Sequence, residues 1–420
     1  MVSAGEDEPF DAGGGPHAFR DGLRRTHPAP LRRQAGVSVA GGRSTDQRAL
    51  VDALDALCHA HVTPEYVARC DAEESYPSAA MAALAEAGWA GLAVDELYGG
   101  AGGSAGDLVV VHETLARHSL AVAQAYYSLW VLGADLLGRV GSETQRAEWL
   151  PRIAAGEVNV AFALTEPGSG SDAAALRTRA VRDDGGYRVN GQKVFITGAA
   201  VADRIITAVR TTPSERRQDG LSLLLIDPRS AGVTVRPLSK LGLKAIDLCE
   251  VFFDDVRVRA EDVIGEPDDG WRTLSLGLAK ERLLLGAICL GAMRDVLAQA
   301  TAHATEREAF GSPIGQFQMV AEKLVRMRLA ADAAELLVLR AAELLDAGRP
   351  AAVEASMAKL FASEAYVSAT RAGIQVFGGY GFTNDYPVAR HYRDAKYLEI
   401  GGGTSETQIV IIARSMGLLC

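Results

Sequence analysis

Paired cysteines, basic blocks and long apolar runs are all missing from this 420-residue chain, and each absence narrows the reading. The five cysteines, Cys58, Cys70, Cys249, Cys289 and Cys420, form no CxxC pair and are odd in number. That argues against a disulfide framework and against a structural zinc site, and no metal is expected. Reduced, buried thiols in a cytoplasmic protein are the expectation. No uninterrupted apolar run reaches the length that a bilayer-spanning helix needs, so a soluble chain without a membrane partner is expected. The net charge is −10 and arginines near the N-terminus are scattered, which disfavours a general nucleic-acid binder. A secretory signal would need an apolar segment that is missing. A mitochondrial transit peptide would be poor in acids, yet Glu6, Asp7, Glu8, Asp11 and Asp21 are present. Residues 1–43 carry Gly13-Gly14-Gly15 and no apolar period, and read as a disordered extension or as the product of a start codon placed too early.

What is present divides into three blocks. Hydrophobic residues make up 48% of the chain, enough for a substantial core, and the length allows about two to three domains. Residues 44–159 follow helical spacing. Ser44-Thr45-Asp46 is a capping signal ahead of Leu50, Leu54 and Leu57, and a second helix over 78–87 ends at Gly88. The run Gly99-Gly100-Ala101-Gly102-Gly103 lacks a βαβ setting and reads as a flexible connection. Residues 160–268 switch to short strands over 187–190, 205–209, 221–226, 233–236 and 251–253, a small β domain of meander or barrel type. There Asn190-Gly191 reads as a turn. Residues 269–420 return to long amphipathic helices over 274–301, 317–345 and 352–377. The fold class is therefore α+β and multidomain, helix, sheet, then helix.

Five ordered motifs carry more. Leu164-Thr165-Glu166-Pro167-Gly168-Ser169-Gly170-Ser171-Asp172 puts backbone N–H groups, hydroxyls and a carboxylate in one tight loop. It is followed by Asn190–Gly198, by Arg307-Glu308-Ala309-Phe310-Gly311, by Gln375-Val376-Phe377-Gly378-Gly379-Tyr380-Gly381, and by Gly401-Gly402-Gly403-Thr404-Ser405-Glu406. In this order, from about Ser44 to the C-terminus, the set resembles the acyl-CoA dehydrogenase family of flavoenzymes. The resemblance implies two helical domains around a β domain, a C-terminal four-helix bundle that mediates oligomerisation, and bound FAD. It also implies α,β-desaturation of an acyl thioester: a base removes the α-proton while the β-hydrogen leaves as hydride to flavin N5.

Many members carry the base as Glu in a Tyr-Glu-Gly-Thr sequence near the C-terminus. Here that stretch is Gly401-Gly402-Gly403-Thr404, and Gly402 has no side chain to act. The chain instead resembles the isovaleryl and long-chain branches, whose Glu sits in a Glu-Arg-Leu sequence on the first long helix of the C-terminal domain. Glu281-Arg282-Leu283 stands at that place, and Gly277, Leu278, Leu284 and Leu285 share the helical face of Glu281. Apolar neighbours would raise its pKa. Gly402 keeps a backbone N–H that, with a ribityl hydroxyl, binds the thioester carbonyl in the family. Arg282 resembles an arginine near the acyl chain, and reads equally as half of a surface ion pair. Moving the base by Glu281→Gly with Gly402→Glu is expected to restore part of the activity lost with Glu281.

Flavin contacts carry over by position: Phe162, Leu164, Thr165, Gly170 and Ser171 to the loop over the ring and pyrophosphate, with Ser171 also beside substrate. Phe195 and Thr197 match a Trp-Ile-Thr stretch, so Phe195 keeps an aromatic wall. Arg307, Phe310 and Gln318 match a motif that reaches the flavin of a neighbouring subunit. Gln375, Gly378 and Gly379 match its adenosine side, and Thr404 and Glu406 the closing contacts. Tyr126, Tyr127 and Trp130 lie on the helix that floors the acyl pocket in relatives, where bulky rings would shorten it, or they face the core. Lys244 stands where relatives carry Arg. The expected partners are an acyl-CoA or acyl-carrier-protein thioester, an electron-transfer flavoprotein and further copies of the chain in a tetramer or dimer. A flavin oxidase or monooxygenase and a non-catalytic member are the competing readings.

Overall fold

The computed structural model describes residues 43–419. The expectation for the N-terminal extension falls on residues outside this range, apart from Arg43, which pairs with the buried Glu113.

The first block is helical. Its helices are α1 (Thr45–His61), α2 (Pro64–Ala72), α3 (Ser78–Glu86), α4 (Ala105–His118), α5 (Leu120–Val140) and α6 (Glu143–Ala154). Three of the starts are reciprocal capping boxes: Ser44 with Gln47, Ser104 with Asp107, and Ser142 with Gln145. Helix α5 is broken by a π turn over Tyr127–Val131, an irregularity that recurs at functional sites. The glycine run before α4 does connect helical turns, but it is not loose. Gly102 N–H donates to Val94 O at 2.8 Å and Gly103 N–H to Leu92 O at 2.8 Å, and a Cβ on Gly100 would lie 2.0 Å from Val94 O. These glycines serve close backbone approach.

The second block is one eight-stranded sheet of β1 (Val160–Ala163), β2 (Arg179–Asp183), β3 (Gly186–Thr197), β4 (Arg204–Arg210), β5 (Leu221–Ile226), β6 (Val233–Pro237), β7 (Leu248–Arg259) and β8 (Val263–Ile264). The order is β6-β7-β3-β2-β4-β5-β8, with β1 alongside β4. β1 and β2 both run parallel to β4, so the sheet is not a simple meander. Asn190-Gly191 is not a turn. β3 passes straight through it, and the irregularity is a bulge against β7 between Val189 and Gly191. Gly191 is needed because a Cβ there would lie 2.7 Å from Thr178 Cα.

The third block holds α7 (Gly270–Glu306), α8 (Gln318–Asp346), α9 (Ala352–Phe377), α10 (Pro387–Ile400) and α11 (Ser405–Ser415). Helices α5 and α7 are long and apolar enough to cross a membrane, which counting uninterrupted apolar residues misses. They are core helices, with 89% and 72% of their most apolar stretches buried inside the protein. Buried Glu113 on α4 accepts from Arg294 on α7, which also pairs with Glu335 on α8 at 2.8 Å, tying the first block to the third.

Candidate active site

Helix α7 delivers Glu281, and the turn between α10 and α11 delivers Gly402. The two meet. A Cβ built on Gly402 would sit 3.6 Å from Glu281 Oε1 and 2.2 Å from Leu285 Cδ1. Gly402 has φ +65°, a region that costs other residues. The turn is anchored on its far side. Gln408 Nε2 donates to Gly402 O at 3.2 Å and to Gly403 O at 2.9 Å, and Lys359 Nζ donates to Gly403 O at 2.7 Å. Among the described residues no acceptor takes the Gly402 N–H, so this donor is available.

Burial raises the Glu281 pKa above the usual carboxylate range, against the opposing pull of Arg282, Tyr127 and Lys359. Leu284 and Leu285 are buried as the helical spacing requires. The rest of the desolvation comes from groups the local sequence does not reveal. Tyr127 on α5 turns its hydroxyl toward Glu281; this oxygen is buried and makes no hydrogen bond of good geometry. Burial, then the Glu281 charge, pushes the phenol pKa well up. Arg282 is not part of a surface pair. It is 7% exposed, its Nε has no partner, and burial lowers its pKa while Glu281 opposes this.

The three aromatic residues of α5 separate. Tyr127 faces the site. Tyr126 donates its hydroxyl to Trp89 O at 2.9 Å, and Trp130 donates Nε1 to Asn159 Oδ1 at 3.0 Å, both in the core of the first block. Two of the three rings expected at the pocket are therefore held by hydrogen bonds in the core. Buried Gln124, which sequence reading passed over, donates to Ser128 Oγ at 2.8 Å and weakly to Tyr397 Oη at 3.4 Å, joining α5 to α10.

Facing this cluster is the sheet. Phe195 lies in a second β3 bulge, between Lys193 and Ile196, with φ +61° and 60% of its surface exposed. A strained, solvent-facing aromatic inside a strand is a signature of a site. Beside it, an apolar cavity of about 180 Å³ is lined by Thr197, Leu243, Ile246, Leu248, Tyr397 and Ile400 among others. Phe162, Leu164 and Thr165 are half-buried at the end of β1, and Gly170 and Ser171 are exposed. An aromatic wall beside an apolar slot fits the flat ring of a flavin. The loop carboxylate Glu166 turns inward. It is buried, accepts from Arg177 N at 2.6 Å and Thr178 N at 2.9 Å, and pairs with Lys193 Nζ at 2.8 Å, which also donates to Leu164 O. This pair braces the loop from beneath. Asp172 is taken by Arg217.

Arg307, Phe310, Gln318, Gln375, Gly378 and Gly379 form a second patch and are all exposed. The Arg307 guanidinium lies 5.7 Å from the Tyr380 ring centre, beside the Gly378–Phe382 turn. Phe310 is 98% exposed and meets Phe317 edge-on. Arg307 stands at the far end of α7, roughly 39 Å along the helix from Glu281. One chain does not bring the two patches to one small ligand. Thr404 caps α11 by accepting from Thr407 N at 3.3 Å, and Glu406 is exposed in the first turn of that helix. Lys244 pairs with Glu74 at 2.7 Å, and Asp394 on α10 accepts from Leu243 N at 2.6 Å, fixing the loop that lines the apolar cavity.

The family models for the N-terminal, middle and C-terminal domains of acyl-CoA dehydrogenase match residues 44–157, 161–256 and 268–417. An acyl-CoA dehydrogenase of Bacillus subtilis is 37% identical over 342 residues, covering 81% of this chain and 90% of that protein. The solved butyryl-CoA dehydrogenase of Megasphaera elsdenii superposes with a TM-score of 0.86 at 31% identity, covering 89% of this chain and 98% of that one. The prolyl acyl carrier protein oxidase AnaB superposes with a TM-score of 0.85 at 28% identity, over 90% of this chain and 100% of that one. Solved relatives include FAD complexes. The chain belongs to the acyl-CoA dehydrogenase family and is an FAD-dependent oxidoreductase of the class acting on CH–CH groups.

Proposed function

We propose that the protein desaturates a short acyl thioester between Cα and Cβ, with Glu281 as the base. The observation that carries this is the convergence of Glu281 Oε1 on the Gly402 turn, 3.6 Å from where a side chain at 402 would begin. The carboxylate of this chain thus reaches, from a helix, the space that the turn itself serves in other members. Glu281 takes the α-proton, and its raised pKa makes it a stronger base than a solvated carboxylate. Gly402 N–H donates to the thioester oxygen as negative charge develops there. Tyr127 closes the acyl side, backed from the core by Tyr126 and Trp130, and favours short or branched groups; Arg282 and Ser171 complete the substrate contacts.

FAD, when bound, would supply the hydride acceptor, N5, for the β-hydrogen. Phe162, Leu164, Thr165, Gly170, Ser171, Phe195 and Thr197 would hold its ring and pyrophosphate, with Thr404 and Glu406 closing over it. Arg307, Phe310, Gln318, Gln375, Gly378 and Gly379 would hold the flavin of a neighbouring copy, in a homotetramer or else a dimer. Electrons then pass to an electron-transfer flavoprotein in the cytoplasm, and the domains divide at 159/160 and 268/269. Anaerobic mixing with a panel of acyl-CoA and carrier-bound thioesters tests this reading: short substrates should bleach the flavin, and rates that keep rising to long straight chains refute the short pocket. The fold shared with a carrier-protein oxidase favours one second reading, in which the reduced enzyme consumes oxygen rapidly. An oxygen electrode separates the two.

A further inference from the structure

Gly401, Gly402 and Gly403 have no side chains with which to hold a shape, yet a hydrogen-bond donor for catalysis must be aimed. The shape is imposed from below. Gln408, fully buried on α11, bridges the carbonyls of Gly402 and Gly403 with one amide nitrogen. Lys359, fully buried on α9, places Nζ 2.7 Å from Gly403 O. With both carbonyls drawn inward, the Gly402 N–H is left without an acceptor among the described residues.

Lys359 is the more unusual of the two. Among the described residues its one hydrogen bond goes to a carbonyl, and no carboxylate lies within ion-pair distance of it. A buried ammonium without a counter-ion is unfavourable in a resting protein. The charged and titratable groups around it are Cys289, Glu281, Glu399 and Arg282. The positive end of α11, capped by Thr404, points at the same turn. A cation and a helix N-terminus therefore lie under the place where a thioester oxygen would become an enolate.

We propose that Lys359 and Gln408 are positioning residues for proton abstraction: together they fix the Gly402 N–H on the thioester oxygen, and the Lys359 charge offsets the negative charge that arises there. The step is balanced without an oxidant. The α-C–H bond breaks, its electron pair moves into the enolate, and the proton goes to the Glu281 carboxylate. The proposal rests on Glu281 being the base, and the experiment separates the two claims.

The FAD-loaded enzyme is incubated in D₂O with acetyl-CoA and with phenylacetyl-CoA, neither of which has a β-hydrogen to lose, and α-deuteration is followed by NMR. Wild type should exchange and Glu281→Gln should not; exchange by Glu281→Gln at the wild-type rate, or none by wild type, overturns the base and the proposal with it. Lys359→Met and Gln408→Leu should each slow exchange at saturation by about tenfold or more, with half-saturating concentration and FAD content little changed. Lys359→Met should also move the acid limb of the exchange profile to higher pH, because the cation opposing the raised pKa of Glu281 is gone, with Arg282, Tyr127 and Tyr397 still facing the carboxylate. Gln408→Leu should leave that limb in place. Lys359→Arg should recover part of the rate. If Lys359→Met does not fold, Lys359→Gln, which keeps a donor without the charge, takes its place. Exchange at the wild-type rate in the folded Lys359 and Gln408 variants, with Glu281→Gln inactive, refutes the proposal and leaves the base standing.

Discussion

Replacing Glu281 by Gln tests the central assignment most directly, because amide and acid have nearly the same shape. The variant should fold, bind FAD and bind thioester. It should lose only the capacity to accept the α-proton. A positioned base contributes about 10²–10⁴-fold, or roughly 2.7–5.4 kcal/mol of barrier. Anaerobic stopped-flow bleaching of the flavin should slow by at least that lower factor with little change in the half-saturating concentration. The fold supplies a second readout. Burial raises the Glu281 pKa above its ordinary value of 4.5, so the native state binds this proton more tightly than the unfolded chain. Its stabilising contribution is complete below pH 4.5, and is lost as pH rises through the raised value. Gln carries no such loss, so at pH 8 the variant should melt at or above the wild-type temperature, and the difference should vanish on acidification. Bleaching within about threefold of wild type would refute the assignment. A variant that melts earlier at pH 8 would refute the burial argument.

The structure changes the expectation for moving the base. Glu281→Gly with Gly402→Glu should recover less bleaching than the motif alone suggests, because the new Cβ meets Leu285 Cδ1 at 2.2 Å at φ +65°, costing about 1–2 kcal/mol for the backbone and about 1–3 for overpacking unless Leu285 moves; adding Leu285→Ala should raise the rate, and no gain from it contradicts the geometry. Lys193→Met strands the buried Glu166 carboxylate, so thermal unfolding should show a loss of about 3–5 kcal/mol together with weaker FAD retention; unchanged melting would show the pair is not the brace of the loop. Light scattering of the holoenzyme should give a tetramer or dimer, and Arg307→Ala with Gln375→Ala should weaken FAD binding; a fully loaded, fully active monomer would overturn the shared site.

What could be read in advance was local or ordered along the chain. Ser44 announces a helix start because its cap is completed within three residues, by Gln47, and the same local signal, absent from the sequence expectations, stands at Ser104 and Ser142. Glu281 stands out as a candidate because Gly402 has no side chain and Glu281-Arg282-Leu283 offers a carboxylate, but that the two meet in space is visible only in the fold. Asn190-Gly191 was misread because the pair is as good in a bulge as in a turn, and only the pairing of β3 with β7 decides. The inward turn of Glu166 has no local signal either. Its partner Lys193 lies on the next strand but one, and nothing in the loop itself says that the carboxylate turns inward. Tyr126 and Tyr127 are adjacent in sequence, yet their directions are set by Trp89 and Glu281, both remote in sequence. Lys359 and Gln408 carry no motif signal at all.

Leu285 shows why the base and the glycine turn belong together. Two arrangements could put a carboxylate beside the thioester: a side chain rising from the turn, or one descending from α7. The second leaves the turn free to approach α7 closely, and the approach is used, since Leu285 Cδ1 occupies the volume a Cβ at 402 would need. Glu281 and Leu285 are four residues apart and so lie on one face, one above the other. One helical face therefore supplies both the carboxylate and a side chain that must move if position 402 carries anything larger than Gly. Glu281 itself is half-buried, and its desolvation there raises its pKa. If Glu281 is the base, the bare turn at 402 and the carboxylate at 281 are linked through one contact, the Leu285 side chain that lies where a Cβ at 402 would begin.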